Sequence, residues 1–378
     1  MEAVLTKVTV PVTVLQDVTA RAVKGSTFID VIPLSGYMQI KIKDGKLSAK
    51  TTNNSYYLTT FSKDTINQPD FETVVDSKLF SNLVSKLSAS AMVSLSVEGN
   101  KVVVESGKGK YTIPLGIDLS NNSLIKFPEV DFEPNGSTVH LTAPEVRSIL
   151  GLSKVCKANT KESPALFNYY FDTERTLTTN DSKACFNPVK VVDRPSAITP
   201  ELIDLLTSVM DEDDVKSPYG LDVSEDDNNI KFFSEKGVLV GKKASSADLK
   251  AFPAENLLEI FNNPSETSAN ISRSELAAVI DRIGLFTNPY EQNKVTVTFT
   301  KDSVSLNSEE TESNESTSYV GGPLSVDIEP VVIDVNAQEL KEIVNACTAE
   351  QIKIYFDEQK VMLVLDGAKI LLGSVAVE

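Results

Sequence analysis

Six short polar turns, each preceded by a run of alternating apolar and polar residues, recur along this chain at a spacing that constrains its fold more than any other feature. The clearest is Met38-Gln39-Ile40-Lys41-Ile42-Lys43, then Asp44-Gly45, then Lys46-Leu47-Ser48-Ala49. Period-two alternation on both sides of an Asp-Gly pair predicts a β-hairpin. Comparable turns lie at Glu98-Gly99-Asn100, Asp172-Thr173-Glu174, Asp226-Asp227-Asn228, Lys301-Asp302-Ser303 and Asp357-Glu358-Gln359. Anchored at 44, 99, 173, 227, 302 and 358, they are separated by 55, 74, 54, 75 and 56 residues, alternately short and long. The turns therefore group in pairs, and the pair recurs after 129 residues, from 44 to 173 and from 173 to 302. That period is too long for a solenoid repeat and suits a whole domain. Three similar domains are expected, at 1–130, 131–262 and 263–378, with Phe127-Pro128 and Phe252-Pro253 marking the ends of the first two.

Each hairpin after the first follows a helix signal. Thr142-Ala143-Pro144-Glu145, Ser272-Arg273-Ser274-Glu275 and Asn336-Ala337-Gln338-Glu339 each place a capping residue three before a glutamate. Thr199-Pro200-Glu201 puts proline at a first helical position. Apolar stripes at helical spacing accompany them: Leu79, Phe80, Leu83, Val84 and Leu87; Val146, Ile149 and Leu150; Leu202, Leu205, Leu206 and Val209; Leu276, Val279, Ile280 and Ile283; Leu340, Ile343 and Val344. The first unit, around Leu15 to Arg21, is crowded with β-branched residues and gives the faintest helix signal. The fold class is α+β, each domain being two helix-plus-hairpin halves.

Composition removes several function classes. At 378 residues, 41% hydrophobic and 24% charged, the chain is globular rather than disordered. Lys and Arg number 36 against 53 carboxylates, a net charge of −17, so the whole surface cannot grip phosphates and only a local basic face could. Cys156, Cys185 and Cys347 have no C-x-x-C spacing, which suggests a reducing compartment and no zinc site. The start carries no basic and apolar leader pattern, and no apolar run reaches the length of a membrane span, so a cytosolic protein is expected. No cofactor and no metal are called for: Asp211 to Asp214 lacks the ligand alternation and glycine of a calcium loop, and Gly107-Lys108-Gly109-Lys110 lacks phosphate-loop spacing. The sole histidine, His140, sits in a strand-like run with no nucleophile arrangement around it, so no catalytic residue is assigned and the protein is read as a non-enzyme.

With this order of elements, the chain resembles the bacterial-type DNA sliding clamp, the beta subunit of DNA polymerase III. The resemblance rests on Ile32-Pro33-Leu34 running into the Asp44-Gly45 hairpin and Thr51-Thr52-Asn53, and on Leu83 to Pro114 with Ser106-Gly107-Lys108-Gly109-Lys110-Tyr111. Phe252-Pro253 and Leu276 to Thr287 with Asn293-Lys294-Val295-Thr296-Val297 complete it. The family usually ends in a short Met/Pro/Arg/Leu-rich tail, whereas this chain ends Gly373-Ser374-Val375-Ala376-Val377-Glu378, which suggests a divergent member, with a phage origin as one option.

The resemblance implies a DNA clamp fold in which two chains close a six-domain ring head to tail, a homodimer threaded by double-stranded DNA without base readout. It implies a processivity factor that tethers the replicative DNA polymerase, is loaded by a clamp loader, and works in the cytoplasm of a bacterium or phage-infected host, away from membranes. The basic residues of the helices, Arg21, Lys24, Lys78, Lys86, Arg147, Lys154, Arg273, Arg282 and Lys341, are the candidates for facing DNA, although a solvated helix face carries some Lys and Arg in any case. Arg147 and Lys154, seven apart, are expected on one helix face. A partner-peptide pocket is implied between domains two and three, at Leu166, Phe167, Thr179, Lys183, Pro253, Leu257, Leu258, Leu372, Val375 and Val377; these are equally the residues of an ordinary core. The rival reading is a binding or structural protein of duplicated α+β modules that does not encircle DNA.

Overall fold

The computed structural model describes residues 6–27, 33–118, 120, 123–159, 163–210, 220–308 and 312–375. All six expected hairpins form, each turn lying between antiparallel strands. At the first, Asp44 and Gly45 both take positive φ, 50° and 74°, the turn whose twist matches that of its strands.

The helices, in chain order, are α1 (Val12–Ala22), α2 (Ser77–Ser85), α3 (Ala143–Ser148), α4 (Lys154–Cys156), α5 (Pro164–Phe167), α6 (Pro200–Ile203), α7 (Leu206–Val209), α8 (Ser246–Ala251), α9 (Ala254–Asn262), α10 (Arg273–Ile283) and α11 (Ala337–Ala346). Caps agree with their chemistry: Ser272 accepts from the Glu275 amide, and Asn336 from those of Gln338 and Glu339. Asp76 caps α2 in the same way. Helix α1 forms despite its valines because burial of Val12, Leu15, Val18 and Ala22 outweighs their weak intrinsic preference.

The chain divides into two compact units, Met1–Ala143 with Glu201–Lys243, and Pro144–Pro200 with Ala244–Glu378. In the first, Lys7–Pro11, Met92–Glu98, Lys101–Ser106 and Gly109–Pro114 make a four-stranded sheet in that order. Its eight-stranded sheet runs Val139–Leu141, Leu221–Glu225, Asn229–Ser234, Gly237–Lys242, Tyr56–Phe61, Lys46–Thr52, Tyr37–Lys43, Phe71–Asp76. Helices α1 and α2 pack together here, with Val12, Leu15, Phe80 and Val84 in a core shared with Ile40, Leu47 and Leu95. Gln16 ties them by donating to the Val84 and Leu87 carbonyls.

The second unit has the same plan. Its eight-stranded sheet runs Ser196–Ile198, Tyr169–Phe171, Thr176–Thr179, Lys183–Asn187, Ala368–Gly373, Lys360–Leu365, Gln351–Phe356, Ser268–Ser272, and its four-stranded sheet Ser313–Ser318, Ser303–Ser308, Lys294–Phe299, Val331–Asn336. Helices α10 and α11 pack together over a core of Leu276, Ile280, Leu340, Ile343, Leu363 and Ile370. The repeat extends to a tight turn. Thr52-Asn53-Asn54-Ser55 and Thr179-Asn180-Asp181-Ser182 share one hydrogen-bond pattern: the Thr hydroxyl donates four residues on, and the Asn side chain accepts from the amides two and three residues on. Asn54 and Asp181 both sit at positive φ, 73° and 76°.

Two helix expectations are corrected. The stripe from Leu202 to Val209 does not make one helix: it breaks into α6 and α7, and Leu202, Ile203, Leu205, Leu206, Val209 and Met210 are all buried, so no single face organises it. Between α3 and α4, residues Ile149–Ser153 form a π-helical turn. The Thr178 hydroxyl donates to the Ser153 carbonyl at 2.7 Å, and Asn187 donates to the Ser153 hydroxyl.

Candidate partner groove and nucleic-acid-facing residues

The outer apolar face of the second unit's eight-stranded sheet, the candidate partner groove, arises from strand pleat. Along Lys183–Asn187, Lys183 and Cys185 point to the helix-covered side while Ala184 and Phe186 point to the other. Register carries this parity across the neighbouring strands: Ala184 pairs with Leu371, Leu371 with Met362, and Met362 with Tyr355. These residues, with Leu177 and Tyr170, form one apolar cluster, covered in part by Leu166 of α5 and by Phe252, Leu257, Leu258 and Phe261 around α9. Phe252 stacks on Tyr170, ring centroids 4.7 Å apart. Burial, with Asp172 and Glu255 nearby, pushes the Tyr170 phenol up from its ordinary value. Leu166, Tyr170, Phe186, Leu258, Tyr355 and Leu371 remain half-buried, so apolar surface is open along the seam.

Of the ten pocket candidates, the structure gathers Leu166, Leu257 and Leu258 into this cluster. Phe167 lies beside them on α5 beneath the Lys157 ammonium, and Pro253 begins α9. Thr179 is buried with its hydroxyl committed to the Lys183 carbonyl. Two are corrected. Leu372, 1% exposed, lies in the helix-side core with Val361 and Ile354, because a one-residue shift in a strand reverses the face. Lys183 turns to the same side and pairs with Glu342 and Glu339 of α11. Val375 is half-buried, its amide donating to the Asp334 carbonyl, and Val377 lies outside the described residues. The cluster residues missed by sequence include Tyr170, Leu177, Phe186, Phe252, Phe261, Tyr355, Met362 and Leu371. Lys369 was the available signal, since residues two apart share a strand face and a lysine marks the open one.

Among the nine basic candidates, Lys78 is exposed on α2, and Lys24 and Lys86 are exposed just past the ends of α1 and α2. Arg21 is corrected. Its side chain is 12% exposed and all five N–H groups are engaged: Nε and Nη2 fork onto Asp17, Nη2 also meets the Phe61 carbonyl at 2.8 Å, and Nη1 meets those of Lys236 at 2.7 Å and Ser208 at 3.2 Å. It bolts α1 to two hairpins. Arg147 and Lys154 are both exposed, and the π turn at Ile149–Ser153 lies between them, interrupting the regular helical spacing that would place residues seven apart on one face. Arg282 forks onto Glu315, Lys341 lies 2.8 Å from Asp281, and Arg273 is half-buried with its Nε shielded from solvent. Among the described residues no cluster of three His, Cys, Asp or Glu side chains could hold a metal, and no helix is long and apolar enough to cross a membrane.

By sequence, residues 9–119 match the family model of the DNA polymerase III beta subunit, N-terminal domain. No curated protein matches the chain by sequence. Among solved structures it is similar to the DNA polymerase III beta subunit of Thermotoga maritima, at 16% identity and a TM-score of 0.80 over 99% of this chain and 100% of that one. It is equally similar to the beta sliding clamp of Caulobacter crescentus, at 16% identity and 0.81 over 99% of each chain. The Pseudomonas aeruginosa sliding clamp matches at 13% identity and 0.80, over 99% of this chain and 100% of that one. From end to end the chain has the DNA clamp fold of the bacterial DNA polymerase III beta subunits, as a divergent member of that fold.

Proposed function

We propose that this protein is a DNA sliding clamp, a non-catalytic processivity factor that encircles duplex DNA as a homodimer of three-domain chains with boundaries at 1–130, 131–262 and 263–378. The observation that carries the reading is a pair of complementary sheet edges, one in each unit. In the first unit the edge strand Gly109–Pro114 exposes Lys110, Tyr111 and Thr112 and follows Lys108; Lys110 leans loosely on Glu105, at 3.7 Å, and Glu98, at 3.8 Å. In the second, the edge strand Ser313–Ser318 follows the exposed Glu312, its Glu315 being held by Arg282 of α10, and the exposed Leu285 and Phe286 adjoin its sheet through the Ser308 hydroxyl. A basic edge pairs favourably with an acidic one, and neither pairs well with its own copy, so head-to-tail closure is favoured over self-pairing.

DNA then passes through the ring held by topology, with Lys24, Lys78, Lys86, Arg147 and Lys154 supplying sequence-independent attraction to phosphates in a protein of net charge −17. The groove around Leu166, Leu258 and Leu371 takes an extended apolar segment of the replicative polymerase, and in turn of the loader, in the cytoplasm. The test is polymerase processivity on primed circular DNA, with sedimentation equilibrium alongside. Longer products and a mass twice 41.1 kDa are expected. A monomer without effect on product length would favour the duplicated binding module that leaves DNA untouched.

A further inference from the structure

The groove crosses a short seam. Only four residue pairs join Lys183–Asn187 to Ala368–Gly373, from Lys183 opposite Leu372 to Phe186 opposite Lys369. Its apolar floor, Ala184 beside Leu371, depends on that register, because a slip of one residue would turn Lys183 into the groove and Ala184 into the core. Alternating apolar residues alone would resist such a slip weakly here, since Ile370, Leu371 and Leu372 are apolar on both faces.

A polar cluster stands where it can hold this register. Lys183, 4% exposed, reaches Glu342 at 3.0 Å and Glu339 at 3.6 Å on α11. Glu339 also accepts from the Asn180 amide at 3.1 Å and from the Ser182 hydroxyl at 2.8 Å, and the Ser182 carbonyl accepts from the Gly373 amide at 2.8 Å, one residue beyond the seam. We infer that Glu339 and Glu342 are positioning residues for the partner groove: through Lys183 they lock the seam in the one register that keeps buried Ala184 under the cluster and leaves the half-buried Leu371 open to an occupant. A buried lysine that has lost its carboxylates is costly wherever it stays buried, so a slipped or frayed seam is penalised most while the lock is intact.

This rests on the groove being the partner site, and the experiment separates the two. The full-length protein carrying 13C-methyl methionine is titrated with a fluorescein-labelled peptide from the carboxyl terminus of the cognate replicative polymerase, and the Met362 methyl resonance is followed in parallel. For Glu339→Ala we expect peptide affinity to fall about tenfold, the scale of one well-made polar contact, and the Met362 resonance to move or split. Glu339→Gln, which keeps an acceptor for Ser182, should recover most of the affinity. A purely structural role would lower the melting temperature but leave both the affinity of the folded protein and the Met362 resonance unchanged, and that result overturns the inference. If Glu339→Ala does not fold, Lys183→Met supplies the same two readouts without leaving a buried charge. If the unaltered protein ignores the peptide while Met362 still splits in the variants, the lock stands and the partner assignment falls.

Discussion

Replacing Arg21 with alanine should unfold the first unit at a markedly lower temperature and should do so whether or not DNA is present. The Asp17 pair contributes little, because Asp17 is 55% exposed and a solvent-screened pair is worth roughly 0–1 kcal/mol. The carbonyls of Phe61, Ser208 and Lys236 matter more, since each loses a charged donor whose net worth is about 1.5 kcal/mol or more. Water entering the vacated space recovers part of that, leaving a loss of about 3 kcal/mol. For a cooperative unit of roughly 150–250 residues that corresponds to a fall of about 6–12 °C. Arg21→Lys should lie between, because one ammonium cannot meet three carbonyls and a carboxylate with a planar fork. Differential scanning calorimetry of the three proteins measures it. A change under about 2 °C for Arg21→Ala, with a loss of DNA retention instead, would refute the bolt and return Arg21 to the DNA-facing set.

The two neighbouring leucines give a sharp contrast: Leu371→Glu should abolish polymerase binding in a pulldown with little loss of stability, whereas Leu372→Ala should cost about 2–5 kcal/mol of folding stability by opening a core cavity. The reverse assignment of effects would mean the strand parity is wrong. All three cysteines are buried, burial raises the Cys156 thiol and pushes Cys347 up to about 11, and thiolate is the reacting form; a thiol reagent at mildly alkaline pH should therefore label the protein only after denaturation. Rapid labelling of the native protein would contradict the buried assignment. Protein loaded on nicked circular DNA should survive a high-salt wash and leave when the circle is linearised; equal loss from both forms would reduce the interaction to simple charge attraction.

Hairpins were legible in the sequence because their signal is local: polar turns and period-two alternation survive without knowledge of the neighbours, and Asp44-Gly45 needs only its own backbone. Most helices were legible for the same reason, through caps such as Asn336 and through one-sided stripes. What failed required tertiary information. The Leu202 to Val209 stripe is interrupted at Asp204 and Leu205, where the chain turns between α6 and α7, and its apolar spacing alone did not reveal that break. The π turn at Ile149–Ser153 is accompanied by Thr178 and Asn187, distant in sequence, and nothing local announces it. Arg21 and Leu372 show the two general limits. A cation's partners can be three backbone carbonyls that no side-chain pattern reveals, and an apolar run cannot state which of two faces is open.

The pairing of one four-stranded with one eight-stranded sheet in each unit bears on how the proposed ring would open. Each eight-stranded sheet is two fours joined along a backbone seam, at Tyr56–Phe61 with Gly237–Lys242 and at Lys183–Asn187 with Ala368–Gly373. Joining the free Gly109–Pro114 edge of one copy to the Ser313–Ser318 edge of another would make a third sheet of the same kind. Contacts between copies would then be cut from the same cloth as those inside one copy, and only peptide continuity would tell them apart. A machine pulling such a ring apart would find no weaker chemistry to exploit at those places; it would succeed there because the chain is not tied across the gap.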